Sequence, residues 1–445
     1  MNQPALLIRH LPWSAAWLLT AVLACSTAAQ AQVVEPTSQI GGTRTVAYER
    51  NTLTGVVTAQ VLEPTSAQHC LRTAYGHDSF GNVTTTAQQN CPGLGSAGTS
   101  VIATRTSTET FGAAGQSAAG LYPNTQTNAA GHVEQLQHDN AFGLPTRVQD
   151  ANGLVIQTTY DAFGRRLNTT HPDGNRTQWR YDYCAAQAPS SGTVALPPDL
   201  GACPLGAVLR VSEVPTRADG TTVNGASRVT YFDAQSREIQ TQTRQFATAG
   251  TPRWSIVSTQ YDALGRVGRK SAPYFAGETP TDTTFTYDAL GRVIQESTPN
   301  PYAPGGVAVR TNQYSGRTIV STNPRGHTQT RELDEFERTI RLTDARAGQQ
   351  SYQFTAWGQL HQTRDPRGNV TQIFYDQSGN KARMIDPGMG TWTYRHDALG
   401  QLRSQTNPKS QTVTLAYDSL GRMISRTEPD HTSTFHFDVT AANTA

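Results

Sequence analysis

The chain has 445 residues, of which 36% are hydrophobic and 8% aromatic, and its formal net charge at pH 7 is only +2. The apolar share lies below that of ordinary globular chains, whereas disordered chains usually combine low hydrophobicity with high net charge. The 62 Thr, 34 Gln and 38 Gly residues favour many short strands with polar faces. The composition excludes a coiled coil, a helical membrane bundle and a basic nucleic-acid binder, since only 3 of the 36 cationic residues are Lys and the Arg residues are spread along the chain.

Residues 1–31 have the pattern of a signal peptide. A weakly basic start precedes an apolar run over residues 11–25 and a small-x-small site that ends at Ala31. We therefore expect cleavage after Ala31 and export to the periplasm, the cell surface or the extracellular space. A membrane anchor is disfavoured because the run is shorter than the roughly 20 residues of a spanning helix. A lipoprotein attached at Cys25 is an alternative, and no later segment is apolar enough to span a membrane.

Four cysteines remain after this cleavage, and they form two local pairs. Cys70 and Cys91 are 21 residues apart and Cys184 and Cys203 are 19 apart, with no C-x-x-C and no metal-ligand spacing. In an exported chain an even number of cysteines at such spacings predicts two disulfides, Cys70–Cys91 and Cys184–Cys203. Free thiols in a reduced chain are the alternative, and neither pair has a catalytic setting.

One turn motif recurs along the rest of the chain. YDAFGRR stands at 160–166, YDALGRV at 261–267 and 287–293, YDSLGRM at 417–423, and the weaker copy HDALGQL at 396–402. The second position of the last five copies advances by 21 residues each time, through Asp334, Thr355, Asp376, Asp397 and Asp418. A second marker keeps the same period at Pro366, Pro387, Pro408 and Pro429. Two markers in phase define an internal repeat.

The two markers predict alternate turns of a meander. Asp suits the first position of a type I turn, Gly supplies the positive φ of a short hairpin loop, and Pro presets the other turn. Each repeat is therefore predicted to be one β-hairpin with strands of roughly six residues. Val413, Leu415 and Tyr417 alternate with Thr and Ala, which predicts a sheet that is apolar on one face only.

The motif residues are assigned structural roles in the turns. Asp forms the turn rather than a catalytic or calcium site, Arg pairs across strands, and Tyr packs on the sheet. A sugar- or phosphate-binding Arg ladder and aromatic platforms for sugars remain alternatives, and no catalytic, cofactor-binding or metal-binding residue is assigned. The assigned residues are Tyr160, Asp161, Gly164, Arg165, Tyr261, Asp262, Gly265, Arg266, Tyr287, Asp288, Gly291, Arg292, Asp397, Gly400, Tyr417, Asp418, Gly421 and Arg422.

The phase of the repeat suggests three regions. Residues 1–31 are the signal peptide, residues 32–132 form a divergent N-terminal β region or cap, and residues 133–445 form the repeat strip. A stretch rich in Pro, Ser, Gly and Ala interrupts the strip at 184–203. The disulfide predicted at its ends would close this inserted loop and keep the flanking strands adjacent.

The YDxxGR signature at a 21-residue period resembles the RHS/YD-repeat family. This family includes bacterial Rhs and wall-associated polymorphic-toxin proteins, the shells of insecticidal toxin complexes and the teneurins. The resemblance covers about residues 133–438. It implies an all-β fold of antiparallel hairpins that spiral into a curved sheet or a partial hollow shell. No toxin or core-closing region is recognisable, so cargo, autocleavage and toxin activity are not carried over.

The sequence thus predicts an exported, non-enzymatic RHS-repeat scaffold that works in a toxin-delivery or cell-surface interaction system. The partners expected are a toxin cargo, a C-terminal continuation of the shell or a surface glycan, without nucleic acid and without a cofactor. Two alternatives stay open. One is a carbohydrate-binding or adhesion module of the cell surface, and the other is a polysaccharide-active hydrolase whose triad comes from distant strands.

Overall fold

The computed structural model describes residues 33–34, 44–92, 102–112, 120–184, 190–245 and 253–438. These residues form one open sheet of 34 strands, in which every pairing is antiparallel. The described part holds no α-helix, and its one 3-10 turn spans Pro304–Gly306. The predicted all-β hairpin fold is therefore confirmed. The predicted signal segment, residues 1–31, lies outside the described residues.

The strands that precede the inserted loop are β1 (Val33–Val34), β2 (Thr45–Arg50), β3 (Val57–Leu62), β4 (Leu71–His77), β5 (Val83–Asn90), β6 (Arg105–Phe111), β7 (Pro123–Thr127), β8 (Val133–His138), β9 (Pro145–Gln149), β10 (Val155–Tyr160), β11 (Arg166–Thr170) and β12 (Arg176–Tyr183). Strands β2 to β7 belong to the same sheet as the repeats that follow them.

The strands that begin within or after the inserted loop are β13 (Ser190–Ser191), β14 (Leu209–Thr216), β15 (Arg228–Phe232), β16 (Glu238–Gln245), β17 (Arg253–Tyr261), β18 (Val267–Ser271), β19 (Tyr274–Phe275), β20 (Asp282–Tyr287), β21 (Val293–Pro299), β22 (Val307–Ser315), β23 (Thr318–Thr322), β24 (Thr328–Leu333), β25 (Thr339–Thr343), β26 (Gln349–Phe354), β27 (Leu360–Arg364), β28 (Val370–Tyr375), β29 (Lys381–Asp386), β30 (Gly390–His396), β31 (Leu402–Thr406), β32 (Thr412–Tyr417), β33 (Met423–Thr427) and β34 (Thr432–Thr434).

The chain order of the strands is also their order in the sheet, except at two places. At the inserted loop β12 pairs with β14 over eight positions, and the short β13 lies along part of the other edge of β12. Strand β17 pairs with both β18 and β19 on one edge, and β18 pairs onward with β20. The loop is thus an addition to the meander that leaves the neighbouring strands in register.

The hairpins of the YD motif share a β-bulge at the motif's first residue. Thr286 pairs with Gln295, but the next residue, Tyr287, pairs with Val293, so Ile294 has no partner of its own. The same shift occurs in the other YD hairpins. A bulge bends its strand and increases the local twist, so its repetition at one edge curves the strip.

Consecutive turns of a meander lie at opposite edges of the sheet. We call one edge the YD rim, which carries the turns that begin at Asp78, Asp139, Asp161, Asp233, Asp262, Asp288, Asp334, Thr355, Asp376, Asp397 and Asp418. We call the other edge the proline rim, which carries the turns that begin at Asn128, Asp150, His171, Arg217, Asn323, Asp344, Asp365, Asp386 and Asn407.

The wall is one sheet thick and buries few side chains completely. In β30 the side chains of Trp392 and Tyr394 are half-buried, whereas Thr391 and Thr393 are exposed, as the sequence alternation predicts. A compact core occurs at the inserted loop, where the strip carries the buried cluster Val229, Tyr231, Trp254 and Ile256. In the structure the inserted loop continues past Cys203 to residue 208, where β14 follows, and its residues Leu200 and Ala207 pack on this cluster.

Both predicted disulfides are present. Cys70 joins Cys91 beside a second small cluster, and Cys184 joins Cys203 against the cluster at the inserted loop. The loop is therefore held down by a cross-link as well as by apolar packing. Within the described ranges no helix is long and apolar enough to cross a membrane.

Candidate functional site

The YD turn is a closed network of hydrogen bonds within five residues. The Oδ1 atom of Asp288 accepts the backbone N–H groups of Leu290 and Arg292, both at 2.9 Å. The Arg292 Nε donates to Oδ2 of Asp288 at 2.7 Å. Gly291 has φ 80°, the left-handed region that a side chain would disfavour. The motif's Asp, Gly and Arg therefore each perform a definite task in the turn.

The other assigned turns that carry a motif arginine show the same geometry. Asp161, Asp262 and Asp418 each receive the Nε of the motif arginine at 2.7 Å, and Gly164, Gly265 and Gly421 have positive φ. The backbone N–H of Arg292, and then its guanidinium, hold the pKa of the Asp288 carboxyl below its ordinary value. Both carboxylate oxygens of such a turn are thus engaged locally, which leaves little scope for the catalytic or calcium role considered for them.

The motif tyrosines link neighbouring hairpins. The Tyr287 hydroxyl donates to the carbonyl of Val267 at 2.7 Å, next to the preceding YD turn. Equivalent bonds of 2.7–3.1 Å are made by Tyr160, Tyr181, Tyr261, Tyr314, Tyr375 and Tyr417. The tyrosine is therefore a polar link between repeats as well as a packing residue, and the predicted packing role accounts for only part of its contacts.

The motif arginines extend the same chain of contacts. The Arg266 guanidinium lies 4.4 Å from the ring centre of Tyr287, and that of Arg292 lies 4.2 Å from Tyr314. Arg422 stacks in the same way on Phe437 at 4.5 Å. A cation over an aromatic face contributes about 0.5–1 kcal/mol at exposed sites. Where a motif arginine is followed by a motif tyrosine, as at Arg266 and Tyr287, one repeat thus binds the next through a tyrosine hydroxyl and a stacked guanidinium.

The copy at Asp397 differs from the others. Its carboxyl is fully buried, and Gln401 stands where the four copies described above have arginine. Gly400 still has positive φ. His396 replaces the usual tyrosine, and burial lowers the pKa of its ring. This copy lies where a distant part of the chain covers the YD rim.

The strip overlaps itself, and we call the line of contact the seam. Arg105, the first residue of β6, donates through Nη2 to the Gln401 Oε1 at 2.8 Å and to the Asp418 carbonyl at 3.2 Å. Arg44 donates to the Ser378 carbonyl at 3.1 Å. These partners are 296–334 residues apart. Without the side strands β13 and β19, 23–25 strands lie between them, so one coil of the spiral takes about 12 hairpins. No backbone ladder joins the coils within the described residues.

The seam places the proline rim of the first coil on the YD rim of the second. The Arg44 guanidinium also lies 5.6 Å from the ring centre of Trp357, and the His132 Nε2 lies 3.7 Å from Oδ2 of Asp438. The contacts are therefore made by cationic or titratable side chains of the first coil. Sequence reasoning missed these residues because they lie outside the repeat motif.

Two other features could hold a ligand. A polar groove of about 700 Å³ is lined by Glu296, Arg310, Asn312, Gln329 and Arg331, with Phe285 at its side. Separately, Glu428, Asp430 and His431 bring potential metal-ligand atoms within 4.8 Å of one another. Asp430 and His431 are exposed and pair with each other, and the half-buried Glu428 pairs with Arg426 at 2.6 Å. The trio therefore gives no reason to assign a metal.

The spiral of hairpins with its turn network defines a β-strip repeat protein. Residues 138–177 and 391–433 match the family model for the RHS Repeat. The chain therefore carries RHS repeats, and the resemblance expected from the YD motif is confirmed. No match was found among curated proteins.

Solved structures of Tc toxin components share the fold. The TcdB2-TccC3 crystal structure is similar with a TM-score of 0.59 and 15% identity, over 87% of this chain and 24% of that chain. The TcdB2-TccC3-Cdc42 crystal structure has a TM-score of 0.56 and 14% identity, over 87% and 30%. The Photorhabdus luminescens Tc holotoxin pore has a TM-score of 0.53 and 14% identity, over 90% and 28%. This chain spans less than a third of the length of these structures.

Proposed function

We propose that this chain is a non-enzymatic wall of an RHS-repeat shell that carries a polypeptide cargo in an exported toxin-delivery system. The seam is the observation that carries this proposal. A single curved sheet has two faces and two free edges, but a strip whose coils are sealed edge to edge separates an interior from an exterior. The contacts of Arg44 and Arg105 supply that seal along the overlapping part of the strip.

The chemistry of the wall supports a scaffold role. The aspartates of the YD turns are bonded to their own turn, and the arginines are bonded to those aspartates and stacked on the next repeat. The aspartates and arginines of the motif thus hold the hairpins together. The similarity to TcdB2-TccC3 supports a place in a toxin complex, where this chain would supply part of the wall.

Protease protection of a fused reporter tests the shell. An unstructured reporter peptide is attached after Ala445 in one fusion and inserted after Leu205, an exposed residue of the inserted loop, in a matched control. We expect slower cleavage of the C-terminal reporter than of the loop reporter, and loss of the difference in an Arg105→Glu variant. Equal cleavage of the two reporters in the unaltered chain would contradict the proposal.

Export is tested separately from enclosure. If residues 1–31 are removed by signal peptidase, the mature protein begins at Gln32, and its intact mass shows this directly. A lipid-modified Cys25 would give a mass that identifies the lipoprotein alternative. A cytoplasmic chain that keeps Met1 or Asn2 would contradict export.

The polar groove favours carbohydrate binding as a second candidate. Its arginine, amide and carboxylate side chains match the hydroxyl groups of a glycan, and Phe285 offers an apolar contact. A glycan array with the unaltered chain and an Arg310→Ala, Arg331→Ala variant tests it. Specific binding that the variant loses would support adhesion.

Turnover assays on wall polysaccharides, run on the same samples, test the hydrolase alternative, to which no described residue is assigned.

A further inference from the structure

The apolar residue at the tip of each YD turn is exposed in one part of the spiral and covered in another. We call the residue two positions after the turn's first residue the tip residue, such as Leu290 in the turn that begins at Asp288. The tip residues Phe163, Leu264, Leu290 and Phe336 are 73–78% exposed. The tip residues of the next four turns, Trp357, Ser378, Leu399 and Leu420, are half-buried.

The seam explains the difference. From Trp357 onward the YD rim lies against the first coil, where Arg44 stacks on the Trp357 ring and donates to the Ser378 carbonyl. Arg105 likewise donates to the Asp418 carbonyl in the last YD turn. Within this chain, a YD rim is therefore covered by a proline rim whose arginines bond turn carbonyls. The earlier YD turns present carbonyls of the same kind and apolar tips. The Asp288 carbonyl among them already accepts Arg266 Nη1 at 3.4 Å, and within the described residues no coil lies on these turns.

The proline rim of the later repeats carries the matching groups. Each of four turns has a basic residue two positions after its first Asn or Asp, and these residues are Arg325, Arg346, Arg367 and Lys409. All four side chains are exposed. Within the described part of the chain, their charged groups form no hydrogen bond and no ion pair.

The turns of the two free rows have the same spacing. Adjacent turns of one rim are two strands apart, which is about 9.5 Å on either rim. The exposed YD row also carries Glu335 and Glu337 beside the tip residue Phe336, and Glu335 already pairs with Arg317 at 3.4 Å. A row of cations can therefore meet a row of turn carbonyls at the same spacing, as Arg44 and Arg105 meet the carbonyls of Ser378 and Asp418 at the seam.

We propose that the exposed YD rim binds the basic proline rim of a second copy of this chain, head to tail. Each chain carries both an exposed YD rim and a basic proline rim. The contacts at the seam show how two such rims pair. The two rims lie on opposite sides of the spiral, so the contact joins two different surfaces and is heterologous. A stack of copies therefore keeps one free rim at each of its two ends, where another copy can bind. Copies would then extend the stack of coils along the spiral axis.

Sedimentation velocity over a range of concentrations tests the proposal on the full chain. The YD-rim variant is Leu264→Glu with Leu290→Glu, and the proline-rim variant is Arg346→Glu with Arg367→Glu. Leu205→Glu, in the exposed inserted loop, is the control for loss of a surface apolar group. All the altered side chains are exposed, so each variant should keep the fold. Far-UV circular dichroism checks this.

The expected pattern is specific to a head-to-tail contact. The unaltered chain and the Leu205→Glu control form oligomers that grow with concentration, whereas each rim variant alone stays monomeric. An equimolar mixture of the two rim variants forms a dimer that grows no further, since one intact rim from each molecule can pair. An unaltered chain that is monomeric throughout would overturn the proposal. So would folded rim variants that still self-associate alone, or a mixture that fails to dimerise.

Discussion

Replacing Arg105 with Ala should weaken the seam more than any change to an exposed arginine. Its guanidinium makes two hydrogen bonds to the second coil, at 2.8 Å to Gln401 and 3.2 Å to the Asp418 carbonyl. A hydrogen bond from a charged donor contributes about 1.5–3 kcal/mol, and less where water competes. Because this site is only partly buried and one bond is long, we expect a loss of about 2 kcal/mol in the free energy of unfolding.

A double-mutant cycle isolates the contact. The unaltered chain and the variants Arg105→Ala, Gln401→Ala and Arg105→Ala/Gln401→Ala are unfolded in urea and followed by circular dichroism. We expect a coupling free energy of about 1 kcal/mol between the two positions, since neighbouring partners are not additive. Arg217→Ala, at an exposed proline-rim turn, is the matched control and should change stability by less than about 0.5 kcal/mol. Additive effects within about 0.3 kcal/mol would refute the seam contact.

Three further outcomes follow from the turn network and the loop. Tyr287→Phe removes the hydroxyl link between repeats and should lower the free energy of unfolding by about 1 kcal/mol, whereas Tyr302→Phe, at an exposed ring, should not change it. Replacing both residues of the Cys184–Cys203 disulfide with Ser should cost about 3 kcal/mol, measured by urea unfolding, because the loop regains its freedom in the unfolded chain. The pKa of Asp288 is lower folded than unfolded, so its stabilisation is present above about pH 4 and lost as pH falls through the folded pKa. An acid titration followed by circular dichroism should therefore show a smaller loss of stability at low pH for Asp288→Asn than for the unaltered chain.

The hairpins could be predicted because their determinants are local. The first Asp, the Gly and the Arg of a YD turn lie within five residues, and the bonds they make in the Asp288 turn are confined to that span. Two markers with one period were therefore sufficient to place the turns and the alternating strands. The disulfide pairing was accessible for a similar reason, since each cysteine lies about one repeat from its partner.

The seam could not be predicted because nothing local encodes it. Arg105 meets Gln401 only after about 12 hairpins have added their curvature, and a small change in the bend of each hairpin would bring another residue to that place. Arg44 and Arg105 also lie in the divergent region, where the motif is weak. The one signal available in the sequence was the apolar tip residue, such as Leu264, which a turn alone leaves exposed.

These contacts explain the low apolar content of the chain. A wall one sheet thick has no second layer to pack against, so its aromatic rings are covered by arginines of neighbouring strands, as Arg383 covers Phe374 at 4.2 Å. Such contacts satisfy the sheet face but leave the turn tips at the rim uncovered. The turn's own arginine lies over the rings of Phe163 and Phe336, yet these rings stay 78% and 73% exposed, whereas the first coil covers the tips of four turns of the second. The length of the strip therefore matters for more than its area, because the contacts that cover its YD rim arise only after a full coil has been completed.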